Sequence, residues 1–187
     1  TTVELPCPCR RPVIRIREIF NEQELRHKIE KARYWEQVDV PILDNNWFVM
    51  VGLLEESRFF VFDASERYED AVDRMSSSLA RAGQVDRGFH ERLRAREQRG
   101  TMVFDHAVAI PHSVQYACDR LVLAVGVFPT PIEYRSHEIR VIFLMGLPER
   151  LSSDDSLLIR IYDEIIRIAQ DAALLDQITQ AGCFQAL

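Results

Sequence analysis

A mixed β-sheet sandwiched between helices, an α/β (α+β) domain, is the fold that this chain predicts, and three features predict it. Apolar runs of strand length at 107–110, 121–127 and 139–145 are nearly continuous, the pattern of strands covered on both faces. Segments with apolar residues at helical spacing lie before and after those runs, at 66–82 and 153–182. At 187 residues, 47% hydrophobic and 28% charged, the chain has ordinary globular composition and enough length for one good core.

Taken in order, residues 1–45 predict an extension or connector with one helix, and 46–187 the main domain. Asn21 with Glu24 forms a capping box, and Leu25, Ile29 and Ala32 then fall on one face. Residues 41–46, Pro-Ile-Leu-Asp-Asn-Asn, favour a turn and predict a joint. From Trp47 to Leu54 the apolar residues are too continuous to separate a short helix from a buried strand. Residues 58–62 predict a short strand, after which 63–66, Asp-Ala-Ser-Glu, predict the cap of a helix. Its inward stripe is Tyr68, Ala71, Val72, Met75 and Leu79, and Gly83 stops it. A second helix is predicted at 86–99, with Phe89 and Leu93 inward and Gly100 after it. The last helix carries Leu157, Leu158, Ile161, Ile165 and Ile168, and Leu174, Leu175 and Ile178 continue it to Gly182.

A formal charge of −6 argues against a surface that binds nucleic acid by itself, which needs clustered Lys and Arg. The arginines of 87–99 are interleaved with Glu91 and Glu97 and predict a solvated helix face. Cys7, Cys9, Cys118 and Cys183 match neither a disulfide framework nor a tetrahedral metal site, so the sequence predicts no metal, no cofactor and a reducing cytoplasm. No stretch reaches the roughly 18 apolar residues of a membrane span, and no leader pattern opens the chain, so membrane insertion is not expected. A start at Thr1 rather than Met predicts a fragment of a longer protein.

The chemistry concentrates in two blocks: Arg96-Glu97-Gln98-Arg99-Gly100-Thr101, then Ala109-Ile110-Pro111-His112. Pro111 has a fixed φ and no N–H, so it is expected to end ladder pairing and to present His112 rigidly at the end of a buried strand. A neutral imidazole is nucleophilic near neutral pH and can carry a phosphoryl group reversibly. Such a group needs donors for its oxygens, which backbone N–H groups and hydroxyls around Ser113 and Thr101 are placed to supply, and a cation, for which Arg96 is the candidate. Arg96 has an alternative reading as a solvated helix residue.

The run "RE..GT" followed by "AIPH", placed between two helices and two strands, resembles the signature of the mannitol/fructose-type enzyme IIA domains of the bacterial sugar phosphotransferase system. The resemblance extends from about residue 58 to the C-terminus. It implies a domain that takes a phosphoryl group from HPr onto His112, with Arg96 near the phosphate. In transport versions it also implies onward transfer to a cysteine of enzyme IIB. Transport-type members carry a second histidine in the helix after the last strand; here Leu158, or Ser156 with a small gap, stands at that position. His106 and His137 are expected in exposed loops.

That departure, the style of the last helix and the N-terminal connector resemble more closely the enzyme IIA-like domains at the C-termini of sugar-operon regulators with duplicated PTS regulation domains. The chain is therefore expected to be a phosphorylation-dependent regulatory module. A transport-type enzyme IIA and a non-phosphorylated interaction domain are the alternatives, and a homodimer is compatible with any of them.

Overall fold

The computed structural model describes residues 49–100, 102–104, 107–149 and 156–184. The chain divides into two units, Thr1–Asp44 and Asn45–Leu187, and the architecture below is that of the second. The capping box at Asn21 and Glu24, the joint at 41–46, Cys7 and Cys9, Thr101 and His106 lie outside the described residues.

Within 47–54 the described residues Val49–Val51 are helical, with Met50 buried. A 3-10 turn at Glu56–Arg58 leads into strand β1, Phe59–Val61, so the strand is shorter than predicted. Helix α1, Tyr68–Arg81, buries Tyr68, Ala71, Val72, Met75 and Leu79, the stripe read from periodicity. Its N-terminus is not capped by 63–66: Arg67 precedes the helix and makes no cap bond. Asp63 instead accepts the Ser65 N–H at 2.8 Å, closing an Asx turn, the local alternative that competes with helix entry. The other end is as expected, because Gly83 takes φ +68. The Gln84 N–H then bonds the Leu79 carbonyl at 2.9 Å and the Gly83 N–H the Ala80 carbonyl at 3.1 Å, a Schellman closure.

Helix α2, Phe89–Arg99, starts three residues later than predicted. Asp86 is drawn out of the helix by tertiary partners, accepting from Gly88 N–H at 3.0 Å, Tyr116 N–H at 2.7 Å and the Arg92 guanidinium at 2.5 Å. After the short β2, Val103–Phe104, come β3, Val108–Ala109, and β4, His112–Gln115. Strands β5, Val122–Tyr134, and β6, His137–Pro148, are longer than their apolar cores. Helix α3, Ser156–Gln170, and helix α4, Ala172–Gln180, complete the described fold. The sequence reads them as one helix; Asp171 divides them, its carboxylate accepting the Ala173 and Leu174 N–H groups at 3.1 and 3.0 Å as the cap of α4.

The described strands form one six-stranded mixed sheet in the order β1-β5-β6-β3-β2, with β4 also on β6. β1–β5, β3–β6 and β4–β6 are parallel; β5–β6 and β2–β3 are antiparallel. Pairing between β5 and β6 is interrupted between Val127 and Ile132, where Pro129 and Pro131 have no N–H to donate.

Both faces of the sheet are covered, because side chains alternate across a strand. Val122, Ala124, Ile142 and Leu144 join Met75, Leu79, Phe89 and Leu93 of α1 and α2 in one core cluster. The alternate set, Leu123, Val125, Val141, Phe143 and Met145, is buried on the other side, that of α3 and α4, whose Ile161, Ile165, Ile168 and Ile178 are buried too. The sandwich of helices around a mixed sheet is thus the predicted one.

Two positions test this packing. A Cβ on Gly126 would lie 2.7 Å from Phe62 and 2.9 Å from Met75, so Gly126→Ala should lower unfolding free energy by about 1–3 kcal/mol in denaturant titration. The β5–β6 loop puts both Arg135 (φ 49) and Ser136 (φ 66) in the left-handed region, as a two-residue type I′ turn requires. Ser136→Gly should therefore stabilise by about 0.5–1 kcal/mol, read as a rise in Tm.

Candidate functional site

β4 lies at the sheet edge, and its register shows how Pro111 acts. Ala109 pairs with Ile142 and His112 with Met145, three residues apart on both strands, so the proline removes a ladder bond without shifting the pairing. Strand pairing therefore resumes at His112 instead of ending at Pro111, because the Pro111 carbonyl still accepts the Met145 N–H at 2.9 Å. His112 opens a strand and does not terminate one.

The backbone groups of successive strand residues point to opposite sides. With the Pro111 carbonyl committed to β6, those of Ile110 and His112 face away from it. There the Ile110 N–H donates to the Met102 carbonyl at 2.8 Å, and the His112 N–H approaches the Met102 Sδ at 3.5 Å. The Ile110 carbonyl accepts from Nδ1 of His112 at 2.9 Å. A carbonyl only accepts, so Nδ1 carries the proton and the lone pair of the neutral ring is on Nε2. The imidazole is half-buried.

Because His112 pairs with Met145, its side chain shares the sheet face that α3 covers. Tyr162 of α3 meets it there, with the ring centroids 6.5 Å apart and the planes at 90°. Tyr162 is one turn beyond Leu158 on the same helix, and it is the ring that stands against His112. Burial pushes the Tyr162 hydroxyl above the usual phenol range, and the charge of Arg96 pulls it back down. Arg96 is exposed on α2 and so lies within electrostatic reach of the phenol beside His112. One turn earlier, Arg92 ties α2 to β4, donating from Nε to the Val114 carbonyl at 3.0 Å and lying over the Tyr116 ring at 4.6 Å.

Ser113 pairs with Gly146 and shares its face, opposite that of His112, so its hydroxyl is directed away from the imidazole. His112 thus has Tyr162 against it with Arg96 in electrostatic reach of that phenol, the Ser113 hydroxyl is directed away, and Thr101 lies outside the described residues. The other described histidines stand elsewhere. His90 bonds the Ser76 hydroxyl at 2.7 Å between α1 and α2, and His137 is half-buried at the start of β6, paired with Tyr134, in a strand and not in a loop.

Glu97, the residue after Arg96, reaches Met102 just before β2. Burial raises the pKa of its carboxyl, opposed by the Met102 N–H, the charge of Arg135 and the Tyr68 hydroxyl, which donates to Oε2 at 3.4 Å. The carboxylate therefore acts on Met102, which in turn contacts Ile110 and His112. Sequence reasoning missed Tyr162 and Met102. Tyr162 had one signal, a phenol bordering the Ile161–Ile165–Ile168 stripe; Met102 had none, since its neighbours are distant in sequence.

Among the described residues no three His, Cys, Asp or Glu side chains converge as a metal site, and no helix is long and apolar enough to cross a membrane.

A family model described as phosphoenolpyruvate-dependent sugar phosphotransferase system, EIIA 2, matches residues 53–187. Among solved structures, nitrogen regulatory protein IIA-Ntr from Neisseria meningitidis is 17% identical, with 72% of this chain and 93% of that one covered at a TM-score of 0.56. IIA mannitol from Escherichia coli is 14% identical, with 71% and 94% covered and a TM-score of 0.56. The complex of enzyme IIAMTL with phosphorylated enzyme IIBMTL from Escherichia coli gives 14%, 71% and 92%, again at 0.56. At these identities the structural likeness concerns the fold. The family match runs from the approach to β1 through α4 and takes in the His112 edge, and by it the chain belongs to the EIIA type 2 family of the phosphoenolpyruvate-dependent sugar phosphotransferase system.

Proposed function

We propose that His112 accepts a phosphoryl group from the phosphohistidine of HPr, and that the domain serves as a regulatory module of a sugar-operon transcriptional regulator. The observation that carries the acceptor role is the Nδ1 hydrogen bond to the Ile110 carbonyl, which leaves the lone pair on Nε2 at the sheet edge. In the transfer, the Nε2 lone pair forms the new bond to phosphorus. The phosphorus–nitrogen bond to the donor breaks, and its electron pair returns to the donor imidazole. The Nδ1 proton stays on the Ile110 side throughout, so the ring bears positive charge while it carries the dianion. Arg96 offsets part of the added charge of about −1.5 to −2.

The regulatory reading is favoured by the partner ring of His112, which is the phenol of Tyr162 and not a second imidazole. The alternative is transport, with onward transfer to a cysteine of enzyme IIB. Both kinds of name occur among structures sharing the fold, one a nitrogen regulatory protein and another in complex with a phosphorylated IIB enzyme. In the regulatory case the added charge alters packing against neighbouring domains.

Incubation with phosphoenolpyruvate, enzyme I and HPr, followed by intact mass measurement, tests the acceptor. Wild type should gain one phosphate that is acid-labile and base-stable, and His112→Ala none; phosphate on Ser or Cys would sink the proposal. Arg96→Ala should keep the fold and slow phosphorylation about 10-fold, consistent with loss of one partly exposed charge contact. Unchanged kinetics would return Arg96 to the role of a solvated helix residue.

A further inference from the structure

We infer that Tyr162 is a catalytic residue of this site, its hydroxyl donating a hydrogen bond to a phosphoryl oxygen carried on Nε2 of His112, on the side where Arg96 supplies positive charge. The inference rests on His112 being the acceptor.

Three observations carry it. The first is position: the Tyr162 and His112 rings meet edge to face, 6.5 Å between centroids and perpendicular, although they come from α3 and β4. Tyr162 borders the buried Ile161 and Ile165 on one side and the exposed Ile159 and Ile166 on the other, so its ring is anchored at the boundary of the core. The second is availability. The Tyr162 side chain is half-buried and not sealed in the core. Only desolvation and the charge of Arg96 act on this hydroxyl, and no hydrogen bond from the described residues does. The third is charge. An arginine within electrostatic reach of a phenol that stands against the His112 ring offers an anion's oxygens two donors, since both groups donate.

The direction of the bond follows from chemistry. Burial holds the hydroxyl protonated through the neutral range, so beside a phosphoryl dianion it donates and does not act as a base. No electrons or protons move through it during transfer. It compensates charge that appears only when phosphorus arrives, which is the kind of contact that accelerates a step instead of tightening the resting state.

The test compares wild type with Tyr162→Phe, which keeps the ring against His112 and removes the oxygen. With HPr, enzyme I and phosphoenolpyruvate, the Phe variant should still take up one phosphate, but about 10- to 100-fold more slowly, the loss expected for one charge-assisted donor. The 31P resonance of its phosphohistidine should shift. The Tm and the 15N resonances of unphosphorylated His112 should not change, because the Nδ1 bond to Ile110 is untouched. Tyr162→His, which restores a ring N–H donor, should recover part of the rate, and it carries the test if the Phe variant perturbs the His112 15N signals. Wild-type rates and an unmoved 31P resonance in Tyr162→Phe would overturn the role of Tyr162 while leaving His112 as acceptor. Absence of phosphate on wild type would overturn both.

Discussion

Pro111 sets the geometry of the whole edge. It sits between two strand segments that both pair in parallel with β6, and it withholds one N–H without disturbing the register on either side. Its carbonyl still binds Met145, so the chain stays on the sheet, and the neighbouring groups of Ile110 and His112 are turned outward. The Ile110 carbonyl can then hold Nδ1 of His112 two residues on. A freely donating residue at this position would pair along the full ladder, whereas the proline gives a strand that is rigid but locally open.

The supports of this edge come from both layers of helices. α2 is tied to β4 by Arg92, and through Glu97 it reaches Met102, which borders Ile110 and His112. α3 brings Tyr162 from the opposite layer. His112 is therefore held where the two cores meet at the rim of the sheet, partly desolvated yet open. Such a place suits a group that must gain and lose a charged substituent, because a fully buried dianion would carry a large desolvation cost.

Membership of the EIIA type 2 family agrees with this arrangement, and the chain also has its own features. Tyr162 makes the site a mixed imidazole–phenol pair. Ser113, adjacent to His112 in sequence, is directed to the other face by strand alternation, so the ring that stands against the imidazole comes from a distant element.

Much of the fold was legible from local pattern. The stripe of α1, the Gly83 stop and the apolar cores of β3, β5 and β6 follow from periodicity and backbone freedom, properties that a short window of sequence carries. His112 was legible too, since a proline before a histidine at the end of an apolar run is a covalent fact. The Asx turn at Asp63, the late start of α2 and the division of α3 from α4 at Asp171 were not, because each depends on which of several partners an acidic side chain chooses. The sequence by itself determined the secondary-structure periods and His112 as the candidate ring; the tertiary structure alone decided which of its nitrogens is free and that Tyr162 stands against it. The contact with Tyr162 joins residues 50 positions apart, and no periodicity records it.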